Sequence, residues 1–334
     1  MRGHLRGVPA FRRSPPMRVA VFVHFYVPHR CAGSETMLHA MVKALQAQGH
    51  EVLVIATVLP EAPPSYTYEG VPVFATNLVY GQQILADWRP DVIVTHHDNT
   101  VRAARIARKF KIPFAFLMHN DLAGTPGMLD LGPDLVVFNT EWMRDKFAER
   151  APNNLVVHPP VFAEQHRTVP GYAVTLVNLN RNKGADLFYD LARRMPDQRF
   201  LGVVGGHGEQ VVRRDLPNVV IQDHTDRMRE QVWCRTRVLL MPSVYESYGM
   251  AGVEALASGI PVIAHPTPGL LESQGPRGIF VDRDDPDAWE VALRVLSAPG
   301  IYERARLSAL ERSAELDPRP ELTAWVAAIE RLTP

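Results

Sequence analysis

Short apolar runs rich in β-branched residues alternate with helix-period stretches along this chain, and the alternation stops once and starts again. Residues 18–25 (RVAVFVHF) suit a strand buried on both faces. A loop containing Pro28 and Gly33 follows, and then a helix with Leu38, Met41, Val42 and Leu45 on one face, stopped by Gly49. Residues 51–57 (EVLVIAT) read as the next strand. A strand–helix–strand order of this kind forces a parallel sheet covered by helices. Further strands are expected at 71–75, 91–95, 113–118 and 134–138, with helices at 81–88, 99–110 and 141–149.

Residues 156–172 (VVHPPVFAEQHRTVPGY) break the pattern with three prolines and a glycine, the signature of a linker. Beyond it strands fit 173–178, 199–204, 218–221, 237–241 and 261–264. Helices fit 184–194, 226–234 and 249–258, and a helical tail fits 286–297, 301–316 and 320–332. The expected class is α/β, with two Rossmann-like parallel-sheet domains facing an interdomain cleft. The division is a basic leader at 1–16, a first domain at 17–163, a second at 164–318 and a final helix within 319–334. In open parallel sheets ligands bind outside the carboxyl ends of the strands, so topology alone places a site in that cleft.

Composition narrows the function. Lys plus Arg and Asp plus Glu are equal at 36 each, so no global charge selects nucleic acid or an acidic membrane. Cys31 and Cys234 are too few for a disulfide framework and lack zinc-site spacing, which suits a reducing cytoplasm. No apolar run approaches the roughly 20 residues of a membrane span. Residues 1–16 are basic, rich in Gly and Pro, and lack the apolar centre of a signal peptide, which suits a solvated tail with Met17 as an alternative start.

The chemistry concentrates in residues 238–264 (VLLMPSVYESYGMAGVEALASGIPVIA), read as strand, polar loop, helix, glycine stop and strand. The loop lies at the carboxyl end of its strand, and Gly249 and Gly252 permit close approach of a ligand. Free N–H groups at the helix start favour phosphate. Glu246 projects from the loop and Glu254 from the helix; a carboxylate accepts two hydroxyl hydrogen bonds, which suits sugar and ribose diols. The phosphates between them need a cation, and Lys183, after a strand and before a helix, supplies one.

Glu246-x7-Glu254 within this stretch resembles the signature of the retaining GT-B glycosyltransferases of family GT4. The resemblance covers the chain loosely from residue 17 onward. It implies that Glu246 contacts the donor sugar, that backbone from Ser247 through Tyr248 and Gly249 to Met250 contacts sugar and phosphate, and that Glu254 binds the ribose. The family's Gly-Arg-Leu-x-x-x-Lys-Gly pattern is matched at Lys183-Gly184, but Val177 and Asn178 stand where its Gly and Arg would be. Asn178 as a hydrogen-bonding substitute, or Arg181 from a shifted position, is expected to serve in place of that arginine. GGHGE at 205–209 is similar to the family's second glycine loop, which makes Gly205 a donor-site candidate. Ala32-Gly33-Ser34-Glu35 is similar to its Gly-Gly-x-Glu region and brings Gly33 and Ser34 toward the phosphates from the first domain. His119, at the end of a first-domain strand, matches the family's histidine, and the final helix is expected to cross back onto the first domain.

The function this implies is metal-independent transfer, with retention, of a sugar from a nucleotide-diphosphate-sugar to an acceptor hydroxyl. No cofactor other than that co-substrate is expected. His119, Lys183 and Glu246 are the expected catalytic residues. The acceptor is left open among glycan, small molecule, lipid and protein, and neither nucleobase nor oligomeric state is legible. His96 and His97, with Asp98, end a strand, but adjacent residues in a turn seldom chelate one ion and no other ligand pair has useful spacing. The expectation is therefore no metal. A nucleotide-sugar epimerase of the same fold and a non-catalytic nucleotide-sugar-binding protein are the alternatives; a dehydrogenase is disfavoured because the first strand–helix turn lacks Gly-x-Gly-x-x-Gly.

Overall fold

The structure is a computed structural model that describes residues 15–333 except His207; most of the leader lies outside the described residues. In the first domain the strands are β1 (Arg18–Val23), β2 (Glu51–Ala56), β3 (Ser65–Tyr68), β4 (Val71–Ala75), β5 (Val92–His96), β6 (Phe114–Met118), β7 (Leu135–Phe138) and β8 (Asn154–Val156). Its helices are α1 (Gly33–Ala47), α2 (Leu78–Trp88), α3 (Thr100–Phe110) and α4 (Glu141–Phe147). The sheet order is β3-β4-β2-β1-β5-β6-β7-β8, parallel throughout except for the β3–β4 hairpin. β4 lies where a strand was expected, but β3 is absent from the sequence reading because the Pro-rich segment around it masks a strand whose two faces are only partly covered. β8, absent from the sequence reading, ends where the stretch that reads as linker begins.

A short helix, α5 (Ala163–His166), interrupts the crossover to the second domain. There follow β9 (Ala173–Val177), α6 (Ala185–Arg194), β10 (Phe200–Val203), β11 (Val219–Gln222), α7 (Met228–Gln231), β12 (Thr236–Met241), α8 (Met250–Leu256) and β13 (Val262–Ala264). The chain continues through α9 (Pro268–Gln274), β14 (Ile279–Phe280), α10 (Pro286–Ser297), α11 (Pro299–Glu315) and α12 (Arg319–Glu330). This sheet is wholly parallel in the order β11-β10-β9-β12-β13-β14. α9 and β14, absent from the sequence reading, are too short to leave a period.

Each sheet is covered on both faces, which explains why its central strands are apolar without alternation. In each, the strand order reverses direction at one place: β1 has β2 on one side and β5 on the other, and β9 has β10 and β12. These switch points open crevices at the carboxyl ends of the strands, and the two crevices face each other.

The terminal helix α12 packs on the first domain. Leu322, Trp325, Val326 and Ile329 join the cluster built from β1 and α1, and the Trp325 indole N–H donates to the Met41 carbonyl at 3.1 Å. Removing so large a fully buried ring costs about 3–5 kcal/mol. Trp325→Ala is therefore expected to lower the denaturant midpoint of the first domain sharply, measured by urea unfolding followed by circular dichroism; an unchanged midpoint would show that α12 is not anchored there.

Candidate active site

β9 ends at Val177, and Asn178 turns the chain with φ +71°, a left-handed conformation that asparagine tolerates better than branched or bulky residues. A short turn over residues 181–183 then leads into α6 and presents Lys183. On the neighbouring strand, β12 ends at Met241 and its loop carries Ser243 to Gly249 before α8 begins. The Lys183 ammonium makes a very short contact with Glu246 Oε1, and Ser243 Oγ donates to the same oxygen at 2.9 Å. Cation and acid thus meet across the switch point of the second sheet.

Glycines permit this closeness. Gly249 has φ +89°, and a Cβ there would strike Leu270; a Cβ on Gly269 would lie 2.2 Å from the Ser247 carbonyl oxygen. Gly33, the first residue of α1, faces Met250, whose sulfur would lie 3.2 Å from an added Cβ. The first domain therefore approaches the loop within van der Waals contact. A cleft of about 320 Å³ lies between them, walled by Gly33, Ser34 and His119 from the first domain and by Asn178, Lys183 and Glu246 from the second. Ser247, Tyr248, Gly249 and Met250 also line it.

Not every expected residue sits in this wall. Arg181 does not replace the missing arginine: its guanidinium is exposed and pairs with Asp186 at 2.7 Å. Gly205 is packed behind Asn178, whose side chain would collide with any Cβ there. The Asn178 Oδ1 accepts from the Asn180 amide at 3.0 Å and the Gln210 amide at 2.8 Å, while Gln210 Oε1 accepts from the Gly205 N–H. Asn178 thus ties together the two loops of the second sheet. Glu254 lies one turn along from Met250 on the same helical face, just beyond the lining residues, with an oxygen 3.6 Å from His166 Nδ1.

Burial pushes the Glu254 carboxyl up to about 7. A raised carboxyl costs stability once it ionises, so the cost is absent below about pH 4.5 and grows as pH rises through 7. Glu254→Gln is expected to melt with the wild type at pH 4.5 and to be more stable at pH 8 by up to about 3 kcal/mol. A pH-independent difference between the two melting curves would refute this.

The loop is also the seam between the domains. Asn139 donates to the His119 carbonyl at 2.9 Å and to Ser247 Oγ at 2.8 Å, and the Trp142 indole N–H donates to the Ser247 carbonyl. The Tyr245 hydroxyl donates to Asp121 at 2.9 Å. Tyr248 is buried against Val161 and Val253. The Ser247 hydroxyl and carbonyl and the Tyr248 ring therefore hold the seam.

Thr140 occupies the N-cap of α4, but its side chain makes no capping bond. The cap comes from the other domain: Glu272 on α9 accepts from the N–H groups of Glu141 and Trp142 at 2.6 and 2.9 Å. Glu272 also meets His158 Nε2 at 2.6 Å, while His158 Nδ1 meets Glu321 of α12 at 2.8 Å. Sequence reasoning missed this hub because its members are spread over more than a hundred residues.

On the first-domain side, β1, β5 and β6 are sheet neighbours, so the residues that end them cluster. His96 Nδ1 lies 2.9 Å from His119 Nε2, and the His24 ring sits 5.4 Å from His96 and 5.3 Å from His97. Burial holds His96 and His119 well below the usual imidazole range, with neighbouring imidazoles adding to it, and takes His97 down to about 4. The expectation that His96 and His97 lack a partner fails here, because His119 joins them.

Two family descriptions match these halves: a glycosyl transferase 4-like domain over residues 32–161 and glycosyl transferases group 1 over residues 171–298. The chain belongs to the GT4-type glycosyltransferases. The D-inositol 3-phosphate glycosyltransferase of Xylanimonas cellulosilytica is 33% identical over 146 residues, covering 40% of this chain and 35% of that protein. The corresponding protein 1 of Catenulispora acidiphila is 26% identical over 84% of this chain and 79% of its own length. Anabaena Alr3699/HepE, solved in complex with UDP-glucose, superposes with a TM-score of 0.75 at 17% identity over 95% of this chain and 99% of that one. Sucrose-phosphate synthase of Thermosynechococcus elongatus gives 0.73 at 16% identity, covering 95% and 98%. The fold of this GT4-type chain is GT-B, with no helix among the described residues long and apolar enough to cross a membrane.

Proposed function

We propose that this chain transfers a sugar from a nucleotide-diphosphate-sugar to an acceptor hydroxyl, with retention and without a metal. The observation that carries the proposal is the Lys183–Glu246 pair at the switch point, facing Gly33 and His119 across a narrow cleft. Without donor the ammonium rests on the carboxylate. A diphosphate draws Lys183 to itself as a point charge, and Glu246 is released to accept hydroxyl hydrogen bonds from the sugar.

As the anomeric carbon–oxygen bond breaks, negative charge grows on the leaving diphosphate and positive charge on the sugar ring. Lys183 and the loop N–H groups stabilise the first. The acceptor hydroxyl attacks from the face the diphosphate leaves, and the departing phosphate takes its proton. His119 hydrogen-bonds the sugar from the first domain, and Glu254 serves the ribose. The seam through Ser247 and Asn139 keeps water from the bond being broken.

A thermal-shift screen of nucleotide-sugars tests this, followed by mass spectrometry of reactions with candidate acceptors. One donor that raises the melting temperature and yields a glycosylated product with the donor's anomeric configuration is expected. An inverted product, an epimerised sugar without acceptor, or no stabilisation by any nucleotide-sugar would contradict it.

A further inference from the structure

β5 and β6 run side by side in register, with His96 opposite Leu117, so the residues just past their ends share one position at the crevice. His97 follows β5 with φ +51°, a left-handed conformation that histidine visits more often than most side chains, and its ring centroid lies 4.6 Å from that of His96 and 5.2 Å from that of His119. One ring nitrogen each from His96, His97 and His119 lies within 4.8 Å of one from each of the others. Ordinary hydrogen bonding does not satisfy the group. His96 is fully buried, yet its Nε2 has no hydrogen-bond partner among the described residues, and neither has His24 Nδ1 beside it. A buried unpartnered nitrogen costs about 1–3 kcal/mol.

We propose that His96, His97 and His119 form a site for a first-row divalent transition ion of the Zn2+ type. Imidazole nitrogen is the preferred ligand of such ions, and three histidines with one open position is a recurrent Zn2+ arrangement. Ligands about 2.0–2.1 Å from a tetrahedral ion stand about 3.3 Å apart. Side-chain rotation within the cluster closes the remaining gap. Of the three, His119 also lines the cleft. Hard ions such as Mg2+ prefer oxygen ligands and are excluded by this donor set. The ion takes no part in the transfer proposed above, although the two share His119; Co2+ binding is read without donor or acceptor, so either reading can fail alone.

The full chain, without a histidine tag and stripped with chelator, is titrated with Co2+ while its visible absorption is followed. A single saturable site with the intense bands of four- or five-coordinate Co2+ is expected, displaced by Zn2+ and not by excess Mg2+. His97→Gln, whose ring is only partly buried, is expected to fold normally by circular dichroism and to weaken binding at least ~10-fold. His96→Gln is expected to do the same where it folds, and His39→Gln, away from the cluster, leaves binding intact. Six-coordinate Co2+ alone in the wild type, or wild-type affinity in folded His97→Gln, overturns the proposal.

Discussion

Lys183→Ala is expected to reduce sugar transfer at least ~100-fold, the scale on which one fixed stabilising group acts on a developing charge. The substitution removes the cation and leaves the Glu246 carboxylate, otherwise engaged by Lys183 and Ser243, facing the diphosphate. Both changes disfavour the leaving group. The protein should remain folded, because Lys183 sits in a turn at the cleft edge and is not part of either core. Initial rates of nucleoside diphosphate release with donor and acceptor present measure the effect, and circular dichroism checks the fold. A folded variant with near-normal rates would remove Lys183 from the mechanism.

Glu272→Ala is expected to cost about 3 kcal/mol of stability, the lower end of the range for losing one partner of a buried pair, because this pair is partly buried. Glu272 does three things at once: it pairs with His158, caps two N–H groups of α4, and ties the second domain to the first. Burial works against a charge on His158, but its hydrogen bonds to the Glu272 and Glu321 carboxylates outweigh it and hold the imidazole up to about 9. Burial likewise opposes the charge on Glu272, while His158 and the two α4 N–H groups bring its carboxyl below the ordinary range.

The signs follow from linkage. A histidine raised in the folded state contributes stability that is full below its unfolded value of about 6.5 and is lost as pH rises through about 9. A lowered carboxyl contributes stability above its unfolded value and loses it as pH falls through the folded one. The hub is therefore strongest between about pH 4.5 and 6.5 and weakens on either side. His158→Gln is expected to be about 3 kcal/mol less stable than wild type at pH 7, with the difference shrinking as pH rises and nearly gone above pH 9. Urea midpoints at pH 7 and pH 10 measure it; a difference that persists unchanged at pH 10 would mean that His158 is neutral in the folded protein.

Much of the scaffold was legible because both sheets are buried on both faces, so that strands such as VAVFV and VLLM announce themselves by composition. What escaped was short or half-covered, such as β3, β14 and α9. At the site, Lys183 and Glu246 were legible because each follows a strand end on adjacent strands, which is a local pattern. The work of Asn178 was not, since its φ of +71° and its bonds to Asn180 and Gln210 arise only when three loops meet. Arg181 was misplaced for a similar reason: a nearby Asp186 on the first turn of α6 draws it outward. The histidine cluster and the Glu272 hub depend on neighbours distant in sequence, and neither carries a local signature.

The central claim is that Lys183 holds the diphosphate while Glu246 holds the sugar. Calorimetric titration of the wild type, Lys183→Ala and Glu246→Ala with UDP, GDP and ADP and with the matching nucleotide-sugars tests it most directly. Lys183→Ala is expected to lose affinity for the nucleoside diphosphate and for the nucleotide-sugar alike. Glu246→Ala is expected to keep or improve binding of the nucleoside diphosphate, its lysine now unopposed, and to lose only the extra affinity conferred by the sugar. Equal losses for both ligands in both variants, or diphosphate binding that survives Lys183→Ala unchanged, would contradict the claim.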